Sequence, residues 1–129
     1  MGTQLQKRGL QPGQKPELAA LAMPDTLYAI HRDYAAAGAD LLLANTFGAN
    51  PRKLAGSGYG PAEVIAASIA CARRAAAQTG ALVGLDIGPI GELLAPAGTL
   101  PFAEAVRQFA VMVRAGAEAG ADFVFLETM

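Results

Sequence analysis

The residues best suited to chemistry in this chain are Asn45-Thr46, Asp86 and Glu127-Thr128, each of which ends a short apolar run. Two carboxylates beside an Asn/Thr pair suit a small polar ligand carrying an ammonium group, because a desolvated cation needs a paired anion. Glu127, at the end of its run, reads as a binding residue ahead of a merely solvated one. For Asp86, capping of the following turn is as good an account as ligand binding. Glycine-rich joints follow the first two runs, Phe47-Gly48-Ala49-Asn50 and Ile87-Gly88-Pro89-Ile90-Gly91-Glu92. Such joints let backbone N–H groups approach a carboxylate or a phosphate. No G-x-G-x-x-G follows the first run, so the dinucleotide fingerprint is not met, and the Gly56, Gly58, Gly60 series reads as a loop. Neither joint itself contains a basic residue, which argues against a phosphate ligand.

Other reactive side chains carry less. His31, flanked by Arg32 and Asp33, reads as a solvated surface histidine, and the Arg73-Arg74 pair as a solvated helix face. Cys71, among alanines, reads as a small buried hydrophobe. Tyr28, Tyr34 and Phe109 fall at helical spacings and are expected in the core.

These groups must be positioned by a repeating scaffold. The stretch Ala35–Thr46 is echoed by Ala117–Thr128: an alanine-rich helix closes at a glycine, then an aspartate leads into an apolar run that stops at a polar pair. A looser copy runs from the helix ending near Thr79, through Gly80, to Asp86. Between the copies lie three helical patterns. Leu27, Ile30 and Tyr34 follow Pro24-Asp25; Val64, Ile65, Ile69 and Ala72 follow Pro61; Phe102, Val106, Phe109 and Val113 mark the third. The apolar runs are continuous, which is the habit of parallel strands buried on both faces. Helix–strand alternation with short joints therefore predicts an α/β fold with a parallel sheet, either a doubly wound open sheet or a (β/α)8 barrel.

Composition narrows the function classes. The 129 residues are 53% hydrophobic and 16% charged, enough for a core and too apolar for a disordered tail. Ten basic against eleven acidic residues give a net charge of −1, which offers no field for a nucleic-acid backbone. The single cysteine cannot form an internal disulfide or build a zinc site alone, and a reducing, cytoplasmic setting is expected. No span reaches the roughly 18 apolar residues of a membrane helix, and the polar opening lacks a signal-peptide core.

Taken together, Met1–Gln6, Pro24–Tyr34, Asn45–Asn50, Asp86–Pro89 with Gly91–Leu94, and Glu127–Met129 resemble the homocysteine S-methyltransferase family, in its cobalamin-dependent methionine synthase branch. The resemblance runs along the whole chain in order. It implies a partial (β/α)8 TIM barrel, about strands 2–4 with their helices, with residues 1–129 as the N-terminal half of a homocysteine-binding domain that lacks strand 1 and strands 5–8. It implies methyl transfer to homocysteine, giving methionine, with the sulfur held as thiolate by zinc on three cysteines. Those cysteines belong to the second half of the barrel, and Cys71 matches none of them, so no metal ligand and no catalytic residue is assigned here. The methyl donor implied is methylcobalamin, carried on a module apart from this one and recharged by a folate module.

The same resemblance implies a substrate-binding set: Glu127 for the ammonium group, Asn45 and Thr46 lining the pocket, Asp86 and Gly88 as the next strand-end motif. Gly2 and Thr3 match a loop whose backbone amides take the carboxylate. Ala44 and Ile90 replace hydroxyl residues expected by the family pattern. A fragment of this kind is expected to be inactive alone. The alternative is a non-catalytic half-barrel that self-associates or completes a split barrel.

Overall fold

Three times the chain runs a helix into a glycine with a left-handed backbone and then into a parallel strand. Gly38 (φ 95°), Gly80 (φ 77°) and Gly120 (φ 83°) are those stops, a conformation that costs glycine nothing. The computed structural model describes residues 1–129. In chain order they form helix α1 (Gly2–Lys7), a 3-10 turn at Pro16–Leu18, α2 (Ala19–Ala22), α3 (Pro24–Ala36) and β1 (Leu41–Leu43). Then follow α4 (Pro51–Leu54), α5 (Pro61–Ala76), β2 (Leu82–Ile87), α6 (Phe102–Glu118) and β3 (Phe123–Leu126). Pro24, Pro51 and Pro61 open their helices, where a missing N–H costs no hydrogen bond.

The three strands are parallel in the order β1-β2-β3, with Leu42 opposite Val83 and Leu85 opposite Val124. Strand alternation sends Leu42, Ala44, Val83, Leu85 and Ile87 to one face. There they join Val64, Ile65, Ile69 and Ala72 of α5 in the main core. Leu43, Gly84, Asp86 and Phe125 turn to the other face, and the same alternation carries Asn45 and Glu127 to it. A Cβ at Gly84 would meet the Phe123 ring and the Leu43 side chain, so this face is filled across the sheet by neighbours of a glycine. The α/β architecture with a parallel sheet expected from the sequence is the one observed.

Several local expectations change. Burial on both faces holds for β2 alone; β3 is mostly exposed, with Val124, Phe125 and Leu126 at 42–62%. On α6 the large apolar residues Phe102, Val106 and Val113 face solvent, and Phe109 only partly packs on the core. The buried face is instead Ala105, Gln108, Met112, Ala115 and Gly116. Gly116 on that face lets α6 approach β2: a Cβ there would lie 2.6 Å from Leu85 Cδ2. Tyr34 is exposed rather than in the core, whereas Tyr28 packs against it from the side.

Arg73 and Arg74 are also engaged rather than free. Arg73 donates to the Gly120 carbonyl and to Asp122 Oδ1, while Asp122 Oδ2 accepts from Val83 N at 2.7 Å. This ties α5 to the start of β3. Arg74 stacks on Tyr28 with its guanidinium carbon 4.4 Å from the ring centroid.

At Gly88 a Cβ would penetrate the Phe47 ring, and Gly88 N donates to Phe47 O at 2.9 Å. Gly88→Ala is therefore expected to destabilise the chain by about 1–3 kcal/mol. Part of that loss should return in a Gly88→Ala/Phe47→Ala double variant, whose effects will not be additive in denaturant unfolding.

Candidate functional site

The joint between β1 and β2 is set by one hydroxyl. Thr46, fully buried, donates from Oγ1 to the Asp86 carbonyl (2.8 Å) and accepts from the Asp86 N–H (3.0 Å). Next to it, Asn45 N donates to Ser68 Oγ of α5 (2.7 Å) and Asn45 Nδ2 to the Pro16 carbonyl (2.6 Å). The residue after β3 is fixed by Glu127 N donating to Ile87 O at 3.0 Å. The C-terminal ends of the three strands are thus held level. Thr46 acts there as a structural tie, with its polar atom spent on backbone.

Asn45, Asp86 and Glu127 line one open cavity of about 490 Å³, together with Gly2, Glu17 and Phe47. Asp86 sits inside β2, one residue from its end, and does not cap a turn. It is buried, and its Oδ1 has no hydrogen-bond partner. Burial pushes its pKa up to about 6, and the negative charge of Glu127 adds to the shift. Glu17 accepts from Gly48 N at 2.9 Å and so anchors the loop after β1 to the cavity wall.

The remaining expected residues distribute unevenly. Gly2 lines the cavity but lies in the first turn of α1 rather than in a loop. Thr3 is exposed on the same short helix and is not part of the cavity wall. Gly88 acts beneath the cavity, by admitting the Phe47 ring that lines it.

His31 departs most from expectation. It is 2% exposed, lines the same cavity, and its Nε2 has no partner. Burial lowers its pKa to about 4, helped by the positive charge of the amino terminus, so the ring is neutral. The signal for it was in the helix: Leu27, Ile30, His31 and Ala35 make the buried stripe at spacings of three, one and four. Extending the stripe to Tyr34 instead turns it the wrong way. Ser68 was legible in the same manner, as the one hydroxyl on the apolar stripe of α5.

No three His, Cys, Asp or Glu side chains come together in a metal-holding group. Cys71, the one thiol, is buried against α2 and α3, with Sγ 3.7 Å from the Pro24 carbonyl, and desolvation raises its pKa. A three-thiolate zinc centre does not fit these residues. No helix is long and apolar enough to cross a membrane.

The sequence profile of the homocysteine S-methyltransferases matches residues 1–129. The chain belongs to that family. Among solved structures it is similar to the homocysteine methyltransferase MmuM of Escherichia coli. The metallated form aligns over 100% of this chain with 27% identity and a TM-score of 0.83. The oxidized form aligns over 96% with 26% identity and a TM-score of 0.78. This member of the family spans about half the length of those enzymes, 51% and 49% of the two chains. No curated protein matches it at a significant level.

The opposed titrations of Asp86 and His31 give a sign that can be checked. A carboxyl whose pKa rises on folding supplies stability at low pH that is lost as pH climbs from about 4 to about 6. A histidine whose pKa falls on folding does the reverse, costing stability as pH drops from about 6.5 towards 4. Asp86→Asn should therefore be more stable than the parent chain at pH 7, by about 1–2 kcal/mol, since the open cavity screens part of the charge. The gap should close as the pH approaches 4, read from denaturant unfolding at four pH values. Thr46→Val should cost about 1–3 kcal/mol at every pH, because it orphans two buried backbone groups.

Proposed function

We propose that the chain forms the part of a homocysteine S-methyltransferase that holds the amino-acid end of homocysteine. What carries the reading is the meeting of Asp86 and Glu127 in one cavity at the C-terminal ends of parallel strands. Strand ends of that polarity are where barrel folds place their ligands. The substrate ammonium would sit between the two carboxylates. Pairing there offsets the cost of keeping Asp86 buried and charged, and Asn45 and Gly2 complete the wall. Two carboxylates near one another are a poor site for an anion and a good one for a cation.

Activation of the sulfur belongs, on this reading, to groups outside these residues, with zinc on three thiolates and methylcobalamin as the donor on another module. Residues 1–129 bind and orient; they do not perform the transfer alone. Homocysteine added to the 15N-labelled chain should shift the amides of Ala44–Phe47, Asp86–Gly88 and Glu127. Glu127→Gln should weaken that binding by about tenfold, the worth of one charge-assisted contact. Shifts confined to other segments, or an unchanged affinity in the variant, would overturn the proposal.

A second reading is favoured by the apolar flank of β3 and α6. Leu126 is 62% exposed, Phe102 72% and Val106 50%, and β1 and β3 are both sheet edges. We propose that this flank covers itself against another half-barrel, either a second copy or a separate chain. Sedimentation should show dimers that dissociate on dilution and are weakened by Leu126→Asp; a monomer at every concentration refutes the self-pairing.

A further inference from the structure

A primary ammonium group has three N–H donors, and the proposed function gives it two carboxylates, Asp86 and Glu127. A third acceptor stands beside them. The ladder bond from Ala44 N to Gly84 O (2.9 Å) and the two bonds of Thr46 Oγ1 to the Asp86 backbone bracket Asn45, holding it level with Asp86 across β1 and β2. Both residues line the cavity. The Asn45 amide is also oriented. Its Nδ2 donates to the Pro16 carbonyl at 2.6 Å, and Pro16 is kept in place by the next residue, Glu17, whose carboxylate accepts from Gly48 N at 2.9 Å. With Nδ2 turned to that strap, Oδ1 is the end of the amide left for a ligand. No group of the chain donates to Oδ1, and it is not among the polar atoms sealed in the interior without a partner.

We propose that Asn45 is a specificity-determining residue of this cavity, with Oδ1 accepting the third N–H of a primary ammonium group. The inference rests on the reading that the ammonium sits between Asp86 and Glu127. With it, the cavity counts N–H groups. A primary amino acid satisfies all three acceptors, whereas an N-methylated one leaves Asn45 facing a methyl group. An acceptor in that position loses its hydrogen bond and stays desolvated, which is why a site built on polar contacts rejects the analogue that lacks the group. A neutral amide suits the position better than a third carboxylate. The pKa of Asp86 is already pushed up by burial and by the charge of Glu127, and a further anion would make the ionised pair harder to keep. The Pro16 carbonyl is the positioning element, since it fixes which end of the amide faces the ligand before any ligand arrives.

The test compares homocysteine with N-methylhomocysteine by calorimetric titration into the full chain at pH 7.5. The parent chain is expected to bind homocysteine more tightly by about tenfold, the worth of one hydrogen bond to a charged group. Asn45→Ala removes the acceptor and opens room for the methyl group. Homocysteine should then lose about tenfold in affinity, and the two ligands should bind almost equally. Glu127→Gln should weaken both ligands and leave their ratio unchanged, which keeps the two proposals apart. A ratio unchanged by Asn45→Ala would reduce Asn45 to a tie for the Pro16 strap and overturn the inference. Equal binding of the two ligands to the parent chain would overturn it as well, and that comparison needs no variant to fold. Failure of the parent chain to bind homocysteine would overturn both proposals.

Discussion

The arrangement depends on one constraint: the ends of three parallel strands must be held level, so that residues far apart in sequence open into one cavity. The tightest restraint is the Thr46 hydroxyl, which satisfies both the N–H and the carbonyl of Asp86. A parallel ladder supplies evenly spaced bonds along the strands but nothing beyond them, so the next residues must be fixed by other means. Thr46 fixes the first joint, and the Glu127 amide on the Ile87 carbonyl fixes the second. Ser68, reaching from α5 to the Asn45 amide, sets the depth at which that level lies.

Positioning in this way has an energetic consequence. Asp86 is held in a buried place with one oxygen unpartnered, and His31 is held likewise with one nitrogen unpartnered. Each is shifted towards its neutral form, one from above and one from below, by the same loss of solvent. The rest of the core is conventional helix-on-sheet packing built largely from alanine, glycine and branched residues. Two other buried polar atoms lack a partner, Asn50 Nδ2 and Gln108 Oε1, and neither residue lines the cavity.

Glycine does two separate jobs in this fold. At Gly38, Gly80 and Gly120 it permits the left-handed turn that ends a helix. At Gly84, Gly88 and Gly116 the issue is space, because a Cβ would collide with Phe123, Phe47 and Leu85 respectively. The second set determines how near the elements lie, and with it the placing of Phe47 on the cavity wall.

Much of the scaffold was legible in the residues themselves. The glycine stops, the proline starts and the apolar runs of the echoed segments marked three helix–strand units, because those signals act locally on backbone conformation. The polar residues at the strand ends were legible too, since a parallel fold gives that position a meaning before any coordinate is known. Tertiary structure alone decided which helix faces are buried. On α6 the buried face is the one whose Gly116 allows close approach to β2, with Met112 and Gln108 beside it, and on α3 the stripe ran through His31 rather than Tyr34. A helical period allows more than one apolar face, and only the partner surface selects between them.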